Sequence, residues 1–311
     1  MEDQIKGLHH ITAIASSAQA NYDFYTKVLG QRLVKKTVNF DDPGTYHFYF
    51  GDEKGTPGSI LTFFPWEGAR RGVNGTGMAT NFGYAVPVGS LNFWKERLSR
   101  YASKNIQEGE LFGKKTLTFE DPDELNVSLV ENTGAGSPWE TPEIPADLAT
   151  RGFHHVTLTL RRIEASAKLL TELFGYQSVT QEGNTFRFKQ EGCDGAGIVD
   201  LRETPTGPAG ISGAGTNHHI AFRVANEEIL MHFREKVSKL GLGVTPKIDR
   251  DYFFSIYFRE PGGVLFEIAT DNPGFTKDEP LEDLGSKLKL PSQYEGMRSE
   301  IERTLPGLRS N

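Results

Sequence analysis

The feature that most narrows the folds open to this chain is an internal repeat. Four segments share one layout: a strand, a helix ending at or near a glycine, then further strands. The first opens at Gly7-Leu8-His9-His10-Ile11-Thr12 and closes at Ser59-Ile60-Leu61-Thr62-Phe63-Phe64. The second opens at Asn81-Phe82-Gly83-Tyr84 and closes at Asn126-Val127-Ser128-Leu129. The third runs from Gly152-Phe153-His154-His155-Val156 to Gly197-Ile198-Val199-Asp200-Leu201, and the fourth from Asn217-His218-His219-Ile220 to Val264-Leu265-Phe266-Glu267-Ile268. Cap residues delimit the helices: Ser16-Ser17 and Gly30, Ser90, Gly175, Asn226 and Gly241. Duplicated units of this kind imply an α+β architecture in which each unit curls half a barrel and must pair to close it.

Residues 65–77 and 204–216 read as Gly-rich linkers, the first with a lid over a cleft as its alternative. Residues 133–150 read as the linker between two halves, 1–150 with units at about 7–65 and 77–133, and 151–272 with units at about 152–203 and 215–271. The remainder, 273–311, is a tail with a short helix at residues 295–305 presenting Met297, Ile301 and Leu305 on one side. A net charge of −7 without a long basic run argues against nucleic acid or an anionic membrane as partner. With no charged-then-apolar leader and no apolar run of spanning length, the expectation is a cytoplasmic protein. The lone Cys193 excludes internal disulfides and Cys-rich metal sites, so any metal must be held by His and carboxylate. Oligomeric state stays open, a homo-oligomer included.

Strand parity locates the chemistry. Ile220, Phe222 and Val224 mark a core face, which turns His219, Ala221 and Arg223 the other way. Val264, Phe266 and Ile268 likewise leave Glu267 on the non-core face. Aligned by parity, the four units place His10, Asn81, His155 and His219 at one position and Phe63, Ser128, Asp200 and Glu267 at another. Two histidines and one carboxylate with open positions suit Fe(II), as in non-haem oxygenases, and Mn(II) has similar preferences. His219 and Glu267 are two of the three; His10 and His155 compete for the third place. Pairing the first unit with the fourth selects His10 and leaves the third with the second, whereas the packing of sequence neighbours favours His155. The preceding residues of the doublets, His9 and His218, share the apolar parity and read as supporting or core histidines, and Thr12 shares the face of His10.

Ile256-Tyr257-x-x-Glu260-Pro261-x-Gly263-x-x-x-Glu267 resembles the signature of type I extradiol ring-cleaving dioxygenases, and the repeats resemble the βαβββ modules of the vicinal oxygen chelate (glyoxalase/bleomycin resistance) superfamily. Leu8-His9-His10-Ile11-Thr12, Val28-Leu29-Gly30-Gln31-Arg32-Leu33, Gly55-Thr56-Pro57-Gly58 and Asn272-Pro273-Gly274-Phe275 are similar to the hydroquinone-type members, over nearly the whole chain. The resemblance implies four βαβββ modules in two half-open β-barrels, and Fe(II) on His10, His219 and Glu267. It further implies Arg250 in place of the acid/base histidine of catechol cleavage, which is absent from residues 248–250, with Tyr257 beside the substrate. The expected partners are a small aromatic diol and O2, with His9, His218 and Thr12 around the metal. The alternatives are a quinone-binding resistance protein and a glyoxalase-type isomerase or lyase. For Arg250 the alternative is a surface ion pair with Asp249 or Asp251.

Overall fold

The computed structural model describes residues 4–132, 136–193 and 195–309, so residues 133–135 of the expected linker lie outside the described residues. Module one supplies β1 (Leu8–Ala15), α1 (Ala18–Asp23, continued by a π turn, Phe24–Val28), β2 (Arg32–Asn39), β3 (Asp42–Gly51) and β4 (Ile60–Pro65). Module two supplies β5 (Met78–Val86), α2 (Leu91–Arg100), β6 (Lys104–Leu111), β7 (Lys114–Glu120) and β8 (Asn126–Glu131). Module three supplies β9 (Phe153–Leu160), α3 (Glu164–Lys168, again with a π turn, Leu169–Leu173), β10 (Gln177–Glu182), β11 (Thr185–Lys189) and β12 (Ile198–Glu203). Module four supplies β13 (Asn217–Val224), α4 (Glu227–Lys239), β14 (Ile248–Asp249), β15 (Phe253–Arg259) and β16 (Leu265–Pro273).

The strands form two eight-stranded sheets, β14-β15-β16-β13-β1-β4-β3-β2 and β10-β11-β12-β9-β5-β8-β7-β6. Module one therefore joins module four, and module two joins module three, through antiparallel β1–β13 and β5–β9 seams. The first and last modules meet in one sheet, and the alternative in which modules three and four share a sheet is not what forms. Ser17 and Asn226 cap their helices by accepting from Ala20 and Ile229, and Gly30 ends the first helix at a φ of 63° that side chains resist, whereas Ser90 starts α2 without a cap bond and donates to Pro87 O instead. The buried sides of α2 and α4, Leu91, Trp94 and Leu98 in one and Ile229, Leu230, Phe233 and Val237 in the other, have the expected helical spacing. Phe174, just past the π turn of α3, packs on Phe222 and Phe266 across the gap between sheets, so one core serves both.

The two Gly-rich linkers pair with each other through bridges at Arg71–Ala214, Val73–Ile211 and Thr76–Ala209. The tail folds back over the edge strand β2 through a Lys36–Leu288 bridge. Its helix, α5 (Arg298–Thr304), buries Ile301, with Leu305 just beyond, but Met297 is exposed. Met297 lies on a preceding 3-10 turn, Ser292–Met297, whose threefold period breaks the phase that the α-helical spacing had assigned it. Among the described residues no helix is long and apolar enough to cross a membrane.

Candidate metal centre

Each seam carries irregularities that matter for parity. In β1 the register steps from Leu8 to His10, in β9 from Phe153 to His155, and in β13 from Asn217 to His219, so the first histidine of every doublet sits in a bulge. Thr80, before Asn81, is bulged in the same way. A bulge sets two residues against one and turns the extra side chain off the alternating pattern. Both rings of a doublet then lie edge to face and meet Nδ1 to Nδ1, at 2.9 Å for His9–His10, 3.0 Å for His154–His155 and 2.7 Å for His218–His219. The apolar-face reading of the first histidines fails at His218, which is exposed at the cavity mouth, whereas His9 and His154 are buried.

The ladders also correct one equivalence. Glu267 pairs with Ala221, two residues past His219; Asp200 pairs with Thr157, and Ser128 with Gly83, at the same offset. In module one that offset leads from His10 to Thr12 and its partner Thr62, not Phe63. A slip of one residue exchanges the faces. Phe63 belongs to the core, while Thr62 hydrogen-bonds Thr12 at 2.9 Å and the His47 ring at 3.0 Å.

His10, His219 and Glu267 converge, with one ligand atom from each lying within 4.8 Å of the others. Glu267 Oε2 is 3.1 Å from His10 Nε2 and 2.9 Å from His219 Nε2. All three residues are buried. Hydrogen bonding assigns the proton positions on the His10 side. His9 Nε2 lies 3.1 Å from the Thr270 carbonyl, which only accepts, so Nε2 carries the hydrogen. Burial holds His9 well below its ordinary range, keeping it neutral, so its Nδ1 accepts from His10 Nδ1–H. With Nδ1 turned to His9, Nε2 is the His10 nitrogen that faces the carboxylate. Ser255 donates to the other oxygen, Oε1, and Oε2 accepts no hydrogen bond although it is fully buried. Burial opposes the charge on Glu267, but His10 and His219 outweigh it and hold the carboxyl well below its usual range. Burial lowers His219 as well. An ionised carboxylate and two imidazole nitrogens thus meet in a buried space that favours positive charge between them, which a metal cation would supply.

The cluster opens on a cavity of ≈ 330 Å³. Its walls include Phe64, Trp66 and Phe253, with the Phe253 ring 5.0 Å from that of His10. Arg250 and Tyr257 line it too, and Arg250 Nε donates to the Tyr257 oxygen at 3.2 Å. Arg250 lies 3.7 Å from Asp41 of module one, so neither Asp249 nor Asp251 is its ion-pair partner among the described contacts. Burial, followed by Glu267, pushes the Tyr257 phenol upward, so it keeps its proton. Since Arg250 occupies a lone pair of the phenol oxygen, the phenol hydrogen is available for donation. Thr12 reaches His219 Nε2 at 2.9 Å.

Several residues of this cavity escaped the reading of the sequence. His47 hydrogen-bonds Tyr49 at 3.0 Å as well as Thr62, and burial keeps it neutral. Its signal was present: Tyr46, Phe48 and Phe50 are core, so His47 and Tyr49 have the parity that selected His219. Ser255 and Phe253 likewise alternate with core Ile256 and Phe258 on β15. His155 stands in the other sheet, away from this cluster. There Asp200, the counterpart of Glu267, is clamped by Arg187 through bonds of 2.8 and 2.7 Å, and Arg187 occupies the cross-strand place that Tyr257 has opposite Glu267.

Residues 7–129 and 152–268 match the family described as the Glyoxalase/Bleomycin resistance protein/Dioxygenase superfamily. The chain belongs to this superfamily. Among similar members, a Bacillus subtilis (strain 168) protein provisionally named ring-cleaving dioxygenase MhqO is 47% identical over 98% of this chain and 97% of its own length. The chlorohydroquinone/hydroquinone 1,2-dioxygenase of Sphingobium indicum is 39% identical over 98% of this chain and 97% of its own. A crystal structure of a B. subtilis protein, provisionally termed a dioxygenase, superposes with a TM-score of 0.96 at 45% identity and 99% coverage of both chains. Glyoxalase I of Zea mays shares the superfamily fold at a TM-score of 0.64 and 14% identity, over 85% of this chain and 92% of its own.

Proposed function

We propose that this protein is a ring-cleaving dioxygenase of the extradiol type acting on hydroquinones, with Fe(II) held by His10, His219 and Glu267 and Mn(II) as a substitute. The observation that carries this is the buried, unsatisfied Glu267 Oε2 facing two imidazole nitrogens at the end of an aromatic-walled cavity. Its ≈ 330 Å³ lies at the small end of ligand cavities, which suits a single ring. The similarity to a hydroquinone 1,2-dioxygenase over nearly the full length supports the substrate class.

Bound at these residues, Fe(II) supplies an electron path between an ionised ring hydroxyl and O2. The protein's own groups do the rest. The His9–His10 pair holds the His10 proton on Nδ1 and keeps Nε2 free for the metal. Arg250 is a fixed cation for developing negative charge on oxygen and cannot act as a base at neutral pH. Tyr257, held neutral, offers its hydroxyl hydrogen to the same region. Phe64, Trp66 and Phe253 position the ring and exclude water. The ring opens beside a hydroxyl, and both oxygen atoms of O2 enter the product.

The test is oxygen uptake after anaerobic Fe(II) loading, using a panel of hydroquinones and catechols. Hydroquinones should react faster. Equal activity in a rigorously metal-stripped sample, or a preference for catechols, refutes the proposal.

A further inference from the structure

Arg250 and Phe253 both enter the cavity from one tight turn between β14 and β15. Within it Arg250 N donates to Phe253 O at 3.0 Å and Tyr252 N to Arg250 O at 2.8 Å, and Asp251 adopts a φ of 64°, left-handed for a non-glycine residue. The guanidinium itself has few anchors. Its nearest partners are the Tyr257 oxygen and Asp41, which is 82% exposed and 3.7 Å away. Where Arg250 stands is therefore set largely by what holds the turn from behind.

What holds it is the tail. Tyr252 is buried and donates its hydroxyl to Asp278 Oδ2 at 3.1 Å. Asp278 Oδ1 lies 2.6 Å from Lys35 Nζ, which also pairs with Glu279 and sits 4.9 Å from the centre of the Tyr252 ring. Lys277 Nζ donates to Asp251 O at 3.1 Å, and Gly274 N to Tyr252 O at 2.8 Å. Lys35 comes from β2 and is completely buried. An ammonium placed there is stable only while paired, so the clasp favours one geometry.

We infer that Lys35, Asp278 and Tyr252 form a clasp from the chain terminus that positions Arg250 and Phe253 over the metal centre, making these three positioning residues for ring cleavage. The inference rests on the proposed dioxygenase function for its kinetic consequence, but not for its structural one. Because the lever runs through the turn, loosening the clasp acts on the reaction only by way of the two side chains the turn delivers.

Tyr252→Phe removes its single bond to Asp278, and Asp278→Asn takes the charge from both contacts of Asp278 while Glu279 still pairs Lys35, each leaving the volume nearly unchanged. Each should lower kcat/KM for hydroquinone about tenfold, in line with one such hydrogen bond. In an Arg250→Ala background the same changes should cost clearly less than tenfold, because only the part that runs through Phe253 remains. Hydrogen exchange in the purified full chain supplies the second measurement: the amides of residues 249–254 should exchange faster in both variants while those of β1 and β16 stay protected. Unchanged exchange in the turn overturns the clasp, as does a rate loss that multiplies in full with that of Arg250→Ala. If the wild type turns over no hydroquinone yet the turn loosens as described, the dioxygenase function fails and the clasp stands.

Discussion

Metal binding at the cluster should appear as heat stability that two particular histidines distinguish. At a free metal concentration a hundred times Kd, binding to the folded state alone stabilises it by about 2.7 kcal/mol. Unfolding entropy near ~2.1 cal/mol/K per residue amounts to about 0.65 kcal/mol/K for 311 residues. The quotient is a rise in Tm of about 4 °C, measurable by anaerobic scanning calorimetry with and without Fe(II) or Mn(II). The rise should vanish in His10→Ala and in Glu267→Ala, which take away one of the three converging donors. It should persist in His155→Ala, because the carboxylate in that sheet, Asp200, is already neutralised by Arg187 at 2.7–2.8 Å. Comparing each variant with and without metal cancels any loss of packing from the substitution itself. A full rise in His10→Ala, or its loss in His155→Ala, refutes the assignment of the donors.

Arg250→Ala should slow oxygen uptake at least about tenfold, with Arg250→Lys recovering part of it, because the charge remains but the bond to Tyr257 does not; unchanged kinetics would return Arg250 to a surface role. Burial holds His154 down to about 2 and His155 to about 3, so both are neutral when folded and protonate when unfolded below the ordinary value of 6.5. Their contribution is complete above that value and is lost as pH falls toward 3; replacing both with Asn should reduce the acid-side slope of urea-measured stability by about 2.7 kcal/mol per pH unit below pH ~5.5, and an unchanged slope would contradict their neutrality. A Cβ on Gly83 would lie 2.5 Å from the His155 ring, so Gly83→Ala should destabilise by about 1–3 kcal/mol in urea titration and leave the metal-induced rise intact.

The doublets show where reading residue by residue reaches its limit. Parity selected His10, His219 and Glu267 because their neighbours Ile11, Ile220, Phe222, Phe266 and Ile268 are core in the structure. It misplaced the equivalent of Glu267 in module one by one residue on β4, a strand paired regularly with β1, and it mistook the direction of His218 because of a bulge. A strand's period of two holds only between bulges, and a bulge is set by the register of two strands rather than by the sequence of one. His47 was legible by parity and was overlooked because a single histidine among aromatic residues signals nothing until its strand borders the site.

By itself the sequence determined the four modules, their caps, the core-facing residues and the short roster of side chains able to hold a metal, since each depends on local periodicity and on residue chemistry. Which modules share a sheet, and hence whether His10 or His155 completes the cluster, was decided by tertiary structure. The three first strands that carry a histidine doublet look alike locally, and the β1–β13 seam brings residues separated by some two hundred positions into register. The same holds for the tail: nothing local ties Asp278 to Lys35. Their meeting depends on how the tail closes over β2, where a buried ammonium needs a carboxylate and, among the described residues, both of its ion-pair partners come from the returning tail.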